Sequence, residues 1–239
     1  MKFSKNQIFN KIRTKKAKLI LSFVLYLFVN TLSTAQMSLS SVNKEKLEYK
    51  KVIKYIKKLD SRYFYEIQPS INDSTDMSTF FFHNASFAIN APIDRVWNTC
   101  IYSSPSQLWK GKTIGLSFIY NKNSDNIFYH TDQQFDTLEI NQIYFLNLLI
   151  IPTVNIAAAL ITTKIDPYEK VIEFTYIEQN KSIGKQILRL IPISDNETEI
   201  IHDTFYKSGS KFRDKKLYPI FHQKAITDLH KKIASGSLL

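Results

Sequence analysis

The chain has 239 residues, with 32 basic and 21 acidic side chains and a hydrophobic content of 44%. Seven basic residues and no acidic ones lie in the first 35 positions, which leaves 25 basic against 21 acidic residues, a net charge of +4. So small an excess is not typical of nucleic-acid binding, and we expect no nucleic-acid partner. The 204 residues that follow position 35 suit one domain with an added element. Cys100 is the only cysteine, so no intrachain disulfide can form.

The first 35 residues have the pattern of a signal peptide. A basic stretch precedes the eleven-residue apolar run Leu19–Val29, and small residues follow before Gln36. The run is shorter than the roughly 20 apolar residues that a membrane span needs. We therefore predict cleavage near Ala35–Gln36 and a periplasmic or secreted mature protein, with a retained N-terminal anchor as the alternative.

Residues 36–79 are predicted to form an amphipathic helix and a linker. Between Ser41 and Asp60, apolar residues recur at helical spacing and lysines occupy most other positions. The apolar stripe either packs on the domain or binds a membrane surface or anionic partner. Residues from Ile67 onward are polar and rich in turn formers, as a linker is.

The segment from Phe87 to Trp109 predicts a strand followed at once by a helix. Phe87 and Ile89 alternate with small or polar residues, and Pro92 suits the first turn of a helix. Apolar residues then recur at helical spacing, among them Val96 and Trp97.

The rest of the chain predicts strands and one long helix. The apolar run 143–163 has the length of a membrane span, but Pro152 at its centre and many β-branched residues predict two buried strands instead. A helix is predicted over Lys215–Ala234, ended by Gly236. The other predicted strands are Lys112–Tyr120, Ile127–His130, Phe135–Ile140, Val171–Gln179, Ser182–Ile193 and Glu197–Tyr206.

This order of elements resembles the START-like superfamily, also called SRPBCC, which includes polyketide cyclases, dehydrases and lipid-transfer domains. The resembling residues are Ile89 to Pro92, the pair Val96 and Trp97, then Pro105 and Trp109. The resemblance covers residues 80–235 and implies an α+β helix-grip fold, in which a curved antiparallel sheet wraps around the long C-terminal helix. It also implies a cavity between sheet and helix, and the N-terminal amphipathic helix is an addition to that pattern.

Catalytic candidates come from strand alternation. Tyr176 shares a strand face with Phe174, and His202 lies on the last strand. If both faces line the cavity, Tyr176 acts with His202 or Glu173 as an acid–base set on a bound ring. The alternative is that His202 is an exposed or packed structural residue. The histidines and the cysteine lack the spacing of metal ligands and no phosphate-binding loop is present, so we expect neither metal nor cofactor.

The leading hypothesis is an exported protein that binds a hydrophobic small molecule or lipid without changing it. Ligand pockets are mostly apolar with a few polar groups, although the same residues would also suit a filled core. A polyketide cyclase- or dehydrase-like enzyme is the first alternative. A membrane-surface or protein-interaction module acting through residues 41–60 is the second. The predicted ligand-binding residues are Trp109, Phe118, Phe174, Tyr176, His202, Leu217 and Phe221.

Overall fold

The structure, a computed structural model, describes residues 36–132, 135, 137–151 and 154–237. The predicted signal peptide, residues 1–35, lies outside the described residues. The helices are α1 (Lys50–Ile56), α2 (Ile93–Tyr102), α3 (Pro105–Leu108) and α4 (Tyr218–Ser237). The strands are β1 (Phe81–Ile89), β2 (Ile114–Asn121), β3 (Asn126–Tyr129), β4 (Gln142–Ile151), β5 (Val154–Asp166), β6 (Val171–Tyr176), β7 (Ser182–Ser194) and β8 (Glu197–Ser208).

All eight strands form one antiparallel sheet in the order β1-β8-β7-β6-β5-β4-β2-β3. Helices α2 and α4 pack against one side of it, which we call the helix face; the opposite side is the outer face. A curved antiparallel sheet that holds a long C-terminal helix is the α+β helix-grip fold, so the predicted fold class is confirmed.

The apolar run 143–163 forms two paired strands, as predicted. Strand β4 pairs with β5, and Ile143 lies opposite Ile161. Residues 152 and 153, where the strands connect, lie outside the described residues. No described helix is long and apolar enough to cross a membrane.

Each face of the sheet has its own hydrophobic core. The helix-face core contains Trp97 from α2, Leu160 from β5 and Leu229 from α4. The outer-face core contains Phe118 and Phe145, which are covered by Phe64 from the N-terminal segment. The N-terminal segment is therefore an integral layer of the fold.

The predicted helix Ser41–Asp60 is wrong in its extent. Only Lys50–Ile56 is α-helical, and short 3-10 turns at Leu39–Ser41 and Lys44–Lys46 precede it. Leu47 and Val52 are both buried against the outer face. They are five positions apart, which would place them on different sides of one straight helix. The break between the turns and α1 lets both face the sheet. The apolar stripe packs on the domain.

Two other predicted boundaries need correction. Among the described residues of Phe135–Ile140, none is in a strand; the Leu138 N–H instead donates to the Ile101 carbonyl of α2 at 2.8 Å. Helix α4 begins only at Tyr218, after a π-helical turn at Arg213–Leu217, and it includes Gly236. A Cβ at Gly236 would lie 2.9 Å from Thr99 Cγ2, so this glycine permits close packing against α2 and does not end the helix.

Candidate functional site

A cavity of about 280 Å³ lies between α4 and the helix face of the sheet. Strands β4 and β5, the start of β2 and successive turns of α4 supply its wall. The wall is mostly aliphatic and aromatic, as in pockets for small hydrophobic ligands. Its apolar residues include Trp109, Ile114, Leu146, Leu148, Ile156, Leu160, Leu217, Phe221, Ala225, Ile226 and Leu229.

One side of the cavity carries a small polar group. Tyr176 from β6, Gln186 from β7 and Tyr218 from the first turn of α4 all line it. The Tyr176 and Tyr218 hydroxyl oxygens are 2.5 Å apart, and Gln186 Nε2 donates to the Tyr176 hydroxyl at 3.0 Å. This set offers hydroxyl groups to a ligand inside a mostly apolar wall.

The polar group continues into the protein through His202. Gln186 Oε1 lies 3.0 Å from His202 Nε2, so that nitrogen carries the hydrogen and donates to the amide oxygen. In the neutral ring His202 Nδ1 is then an acceptor, and His230 Nε2 donates to it at 3.1 Å. Hydrogen bonds therefore run without a break from His230 through His202 and Gln186 to the Tyr176 hydroxyl at the cavity.

His83 and His222 form a second imidazole pair beside the first. His222 Nδ1 lies 3.3 Å from His83 Nδ1, and its ring stacks on Tyr218 with centroids 5.1 Å apart. We call His83, His202, His222 and His230 the histidine cluster. It fills the space where β1, β8 and α4 meet.

Burial keeps the histidine cluster neutral at neutral pH. Burial lowers the pKa of His222 and of His230 to about 3, and it lowers the pKa of His202 well below its ordinary value. The neighbouring imidazoles lower the pKa of His202 further, because a charge on one ring disfavours a charge on the next. His230 Nδ1 is buried and has no hydrogen-bond partner in the described part of the chain.

Burial has the opposite effect on the two phenols. It raises the pKa of Tyr176 to about 12 and the pKa of Tyr218 well above its ordinary value. Both hydroxyls therefore remain protonated at neutral pH. One phenol donates to the other across the 2.5 Å contact, so one hydroxyl hydrogen is left to donate to a ligand oxygen. Neither phenol is suited to act as a base.

Two basic side chains line the cavity at positions open to solvent, one exposed and one half-buried, and we call this part of the lining the cavity rim. Lys181, in the turn between β6 and β7, and Arg213, in the π-helical turn before α4, both line the cavity. Among the described residues that line it, none is an aspartate or a glutamate.

Most of the predicted ligand-binding residues lie on the helix face. Trp109, Tyr176, Leu217 and Phe221 line the cavity. Phe174 packs edge-on against Trp109, with centroids 5.7 Å apart, and so supports the wall from behind. His202 is fully buried and does not line the cavity, but it is hydrogen-bonded to Gln186, which does.

Two predicted site residues lie on the other side of the sheet. Phe118 stacks on Phe145 in the outer-face core, 4.3 Å between centroids, because a bulge in β2 between Leu116 and Phe118 reverses which side chains face the helix. Glu173 lies between two helix-face residues of β6, so its carboxylate points to the outer face and pairs with Lys185 at 2.8 Å. Neither residue lines the cavity, and these two predictions are wrong.

Sequence reasoning missed Gln186, Tyr218, His222 and His230 as members of the site. Strand alternation alone puts Gln186 on the same face as Leu188, and helical spacing puts His222 near the cavity-lining Phe221 and Ala225. The sequence does not show how close β7 and α4, which carry these residues, lie to each other. No group of three or more histidine, cysteine or acidic side chains in the described residues is arranged to hold a metal ion.

No protein-family model and no curated protein sequence matches the chain. A solved structure similar to it is norcoclaurine synthase from Thalictrum flavum in complex with dopamine and hydroxybenzaldehyde, with 14% identity, a TM-score of 0.48, and coverage of 72% of this chain and 96% of that chain. The major latex-like protein 151 of Panax ginseng is 10% identical and has a TM-score of 0.48. The match covers 67% of this chain and 99% of the ginseng protein. A protein from Thermus thermophilus is 12% identical and has a TM-score of 0.48. The match covers 66% of this chain and 97% of the Thermus protein.

These solved structures belong to the START-like superfamily, which this sequence also resembles. The helix-grip assignment depends on this chain's own strand order and C-terminal helix.

Proposed function

We propose that this protein binds a hydrophobic small molecule or lipid in the cavity beneath α4. The observation that carries the proposal is the cavity itself, about 280 Å³ with a predominantly apolar wall. Protein cores are normally packed with few voids larger than a water molecule, so a space of this size needs an occupant or a reason to stay open. Its volume is close to the lower end of ligand pockets, about 300–1,000 Å³.

The polar side of the cavity supplies orientation. A ligand oxygen placed near Tyr218 would accept a hydrogen bond from a phenol that is already held by Tyr176 at 2.5 Å. Because Gln186 and His202 hold Tyr176 in turn, binding requires little further ordering of side chains. The apolar wall then supplies affinity, and this small polar set supplies selectivity.

Native mass spectrometry of the purified protein tests the proposal. We expect a non-covalent adduct that organic solvent extracts, and saturable displacement of a fluorescent hydrophobic probe by a lipid panel. Ala158 lines the cavity, and Ala158→Phe should fill part of it and abolish both signals. A protein that carries no adduct and binds neither probe nor lipid would contradict the proposal.

A second candidate function, acid–base catalysis of the cyclase or dehydrase kind, is favoured by one observation. The hydrogen-bonded chain from His230 ends at the Tyr176 and Tyr218 hydroxyls in the cavity wall. A phenol that donates to a ligand carbonyl would polarise it and stabilise a developing enolate. Incubation of the extracted ligand with the wild type and with Tyr218→Phe tests this candidate: conversion by the wild type alone supports it, and recovery of unchanged ligand from both contradicts it.

Export of the protein is part of the proposal. The basic and apolar pattern of residues 1–35 and the small residues before Gln36 support it. Cell fractionation followed by N-terminal sequencing is the test. We expect a periplasmic or secreted protein that begins near Gln36; an uncleaved chain in the cytoplasm would contradict export.

A further inference from the structure

We propose that the ligand is an anionic amphiphile, an apolar molecule with one carboxylate or phosphate group, and that Arg213 and Lys181 bind this acid group at the cavity rim. The inference rests on the proposed function and specifies the chemical class of its ligand. Both side chains line the cavity, and no described residue of the lining is acidic. The charged side chains of the described lining are therefore both basic.

Arg213 is held in position without using up its donors. Its Nε donates a hydrogen bond to Ser208 Oγ at 3.0 Å, and its Nη2 donates one to the Lys181 carbonyl oxygen at 2.5 Å. A guanidinium has five N–H groups, so three have no protein partner in the described residues. Arg213 is part of none of the ion pairs that the described residues form. A fixed guanidinium with free donors is suited to hold a carboxylate or phosphate.

Arg213 does not serve to neutralise its acidic neighbour. Asp214 is buried, and its Oδ2 accepts a hydrogen bond from the Ser208 N–H at 2.9 Å. It is the only acidic residue between Ser208 and Lys224, a segment that has five basic residues. Arg213 forms no ion pair with Asp214 in the described residues, so its free guanidinium donors remain available to a ligand.

The polar side of the cavity is a poor place for the acid group. Tyr176 and Tyr218 bring hydroxyls there, and His222 is neutral at neutral pH, so a carboxylate among them would be buried without a cation. Burying an unpaired charge is strongly unfavourable. The acid group is thus placed at the rim, and the apolar part of the ligand extends along the wall toward Trp109 and Leu229.

Calorimetric binding of four amphiphiles with the same ten-carbon chain tests the inference: decanoate, decyl phosphate, decanol and decyltrimethylammonium. We expect the better of the two acids to bind about 10-fold or more tightly than decanol, because charge-assisted hydrogen bonds to a guanidinium are stronger than those between neutral groups. The ammonium compound should bind most weakly. The two acids together distinguish a carboxylate site from a phosphate site.

The variant Lys181→Gln/Arg213→Gln should bring the affinity for the acids down to that for decanol, with decanol binding unchanged. Lys54→Gln/Lys58→Gln is the matched control: it removes the same charge from exposed lysines on the outer-face layer and should keep the difference between acid and alcohol. If the double variant loses decanol binding as well, Lys181→Gln alone replaces it, because the Lys181 ammonium makes no hydrogen bond or ion pair in the described residues.

The outcomes separate the inference from the proposed function. Equal binding of acids and decanol by the wild type, or an undiminished difference in the rim variants, would overturn the inference and leave the proposed function standing. Failure of all four amphiphiles to bind would overturn the inference, and the proposed function is overturned with it only if the protein also carries no adduct and binds neither the fluorescent probe nor the lipid panel.

Discussion

Acidification from pH 7 to pH 5 should destabilise this fold strongly, because it contains a buried histidine cluster. Burial lowers the pKa of His222 and of His230 to about 3 in the folded state. In the unfolded chain a histidine titrates near about 6.5. As the pH falls below that value, the histidines bind protons in the unfolded state but not in the folded state. The free energy of unfolding therefore decreases.

The size of the effect follows from these two pKa values. At pH 5, each of the two histidines lowers the free energy of unfolding by about 2 kcal/mol relative to pH 7. Their sum, about 4 kcal/mol, is a large share of the 5–15 kcal/mol that stabilises a typical domain. His202, whose pKa is also well below its ordinary value, adds to the loss in the same direction.

Urea unfolding at a series of pH values between 7 and 5 measures this slope. The carboxylates of Asp76 and Asp166 accept hydrogen bonds that lower the pKa of each, so they titrate below this window. His230→Gln and His222→Gln should each make the pH dependence shallower by about 2 kcal/mol over this range, whatever their effect at pH 7. A wild type whose stability is constant between pH 7 and pH 5, or variants that keep the full slope, would refute the reasoning.

Three further predictions test other parts of the structure. Phe64→Ala should lower the free energy of unfolding by about 3–5 kcal/mol in urea, because the ring is fully buried on the outer face. Tyr176→Phe should cost about 1–3 kcal/mol in the same assay, since Gln186 then loses a buried partner. Ala158→Phe should abolish displacement of the hydrophobic probe while circular dichroism shows a folded protein.

Matched controls accompany two of these variants. Tyr168 is 93% exposed, so Tyr168→Phe should leave stability within about 0.5 kcal/mol of the wild type. Ala88 is exposed on β1, and Ala88→Phe should not alter probe binding. Equal stability losses in the two tyrosine variants, unchanged probe binding in Ala158→Phe, or a loss below about 1 kcal/mol for Phe64→Ala would each contradict the corresponding prediction.

The regular strands were predictable, and so was the face on which their residues lie. In β8 the sequence alternation places four residues on one face, and all four are almost fully buried in the structure: Ile200, His202, Thr204 and Tyr206. The same rule places Tyr176 on the helix face of β6. A period of two residues is sufficient here because no bulge interrupts either segment.

The errors arise where the alternation breaks. Every residue of β2 is buried, so hydrophobicity along it gives no sign of the bulge that turns Phe118 away from the helix. The N-terminal segment could not be predicted in detail for the same reason. The turns that let Leu47 and Val52 both contact the sheet depend on the shape of the outer face against which they pack. In both places tertiary contacts, and not local pattern, determine the backbone.

The histidine cluster could not be predicted because its members come from three elements. His83 lies on β1, His202 on β8, and His222 and His230 on α4. Their pairing depends on the register that places His83 opposite Thr204, and on where α4 crosses the sheet. Neither the strand register nor the helix position can be read from residue spacing.

Trp109 fluorescence tests the central claim most directly, because the chain has two tryptophans and only one lines the cavity. Trp97 lies instead beneath the Lys170 ammonium, 5.3 Å from it. In Trp97→Phe, titration with a hydrophobic ligand should change the emission of Trp109 saturably. In Trp109→Phe the same titration should leave the emission of Trp97 unchanged. A ligand that alters Trp97 and not Trp109, or alters neither, would contradict binding in the cavity beneath α4.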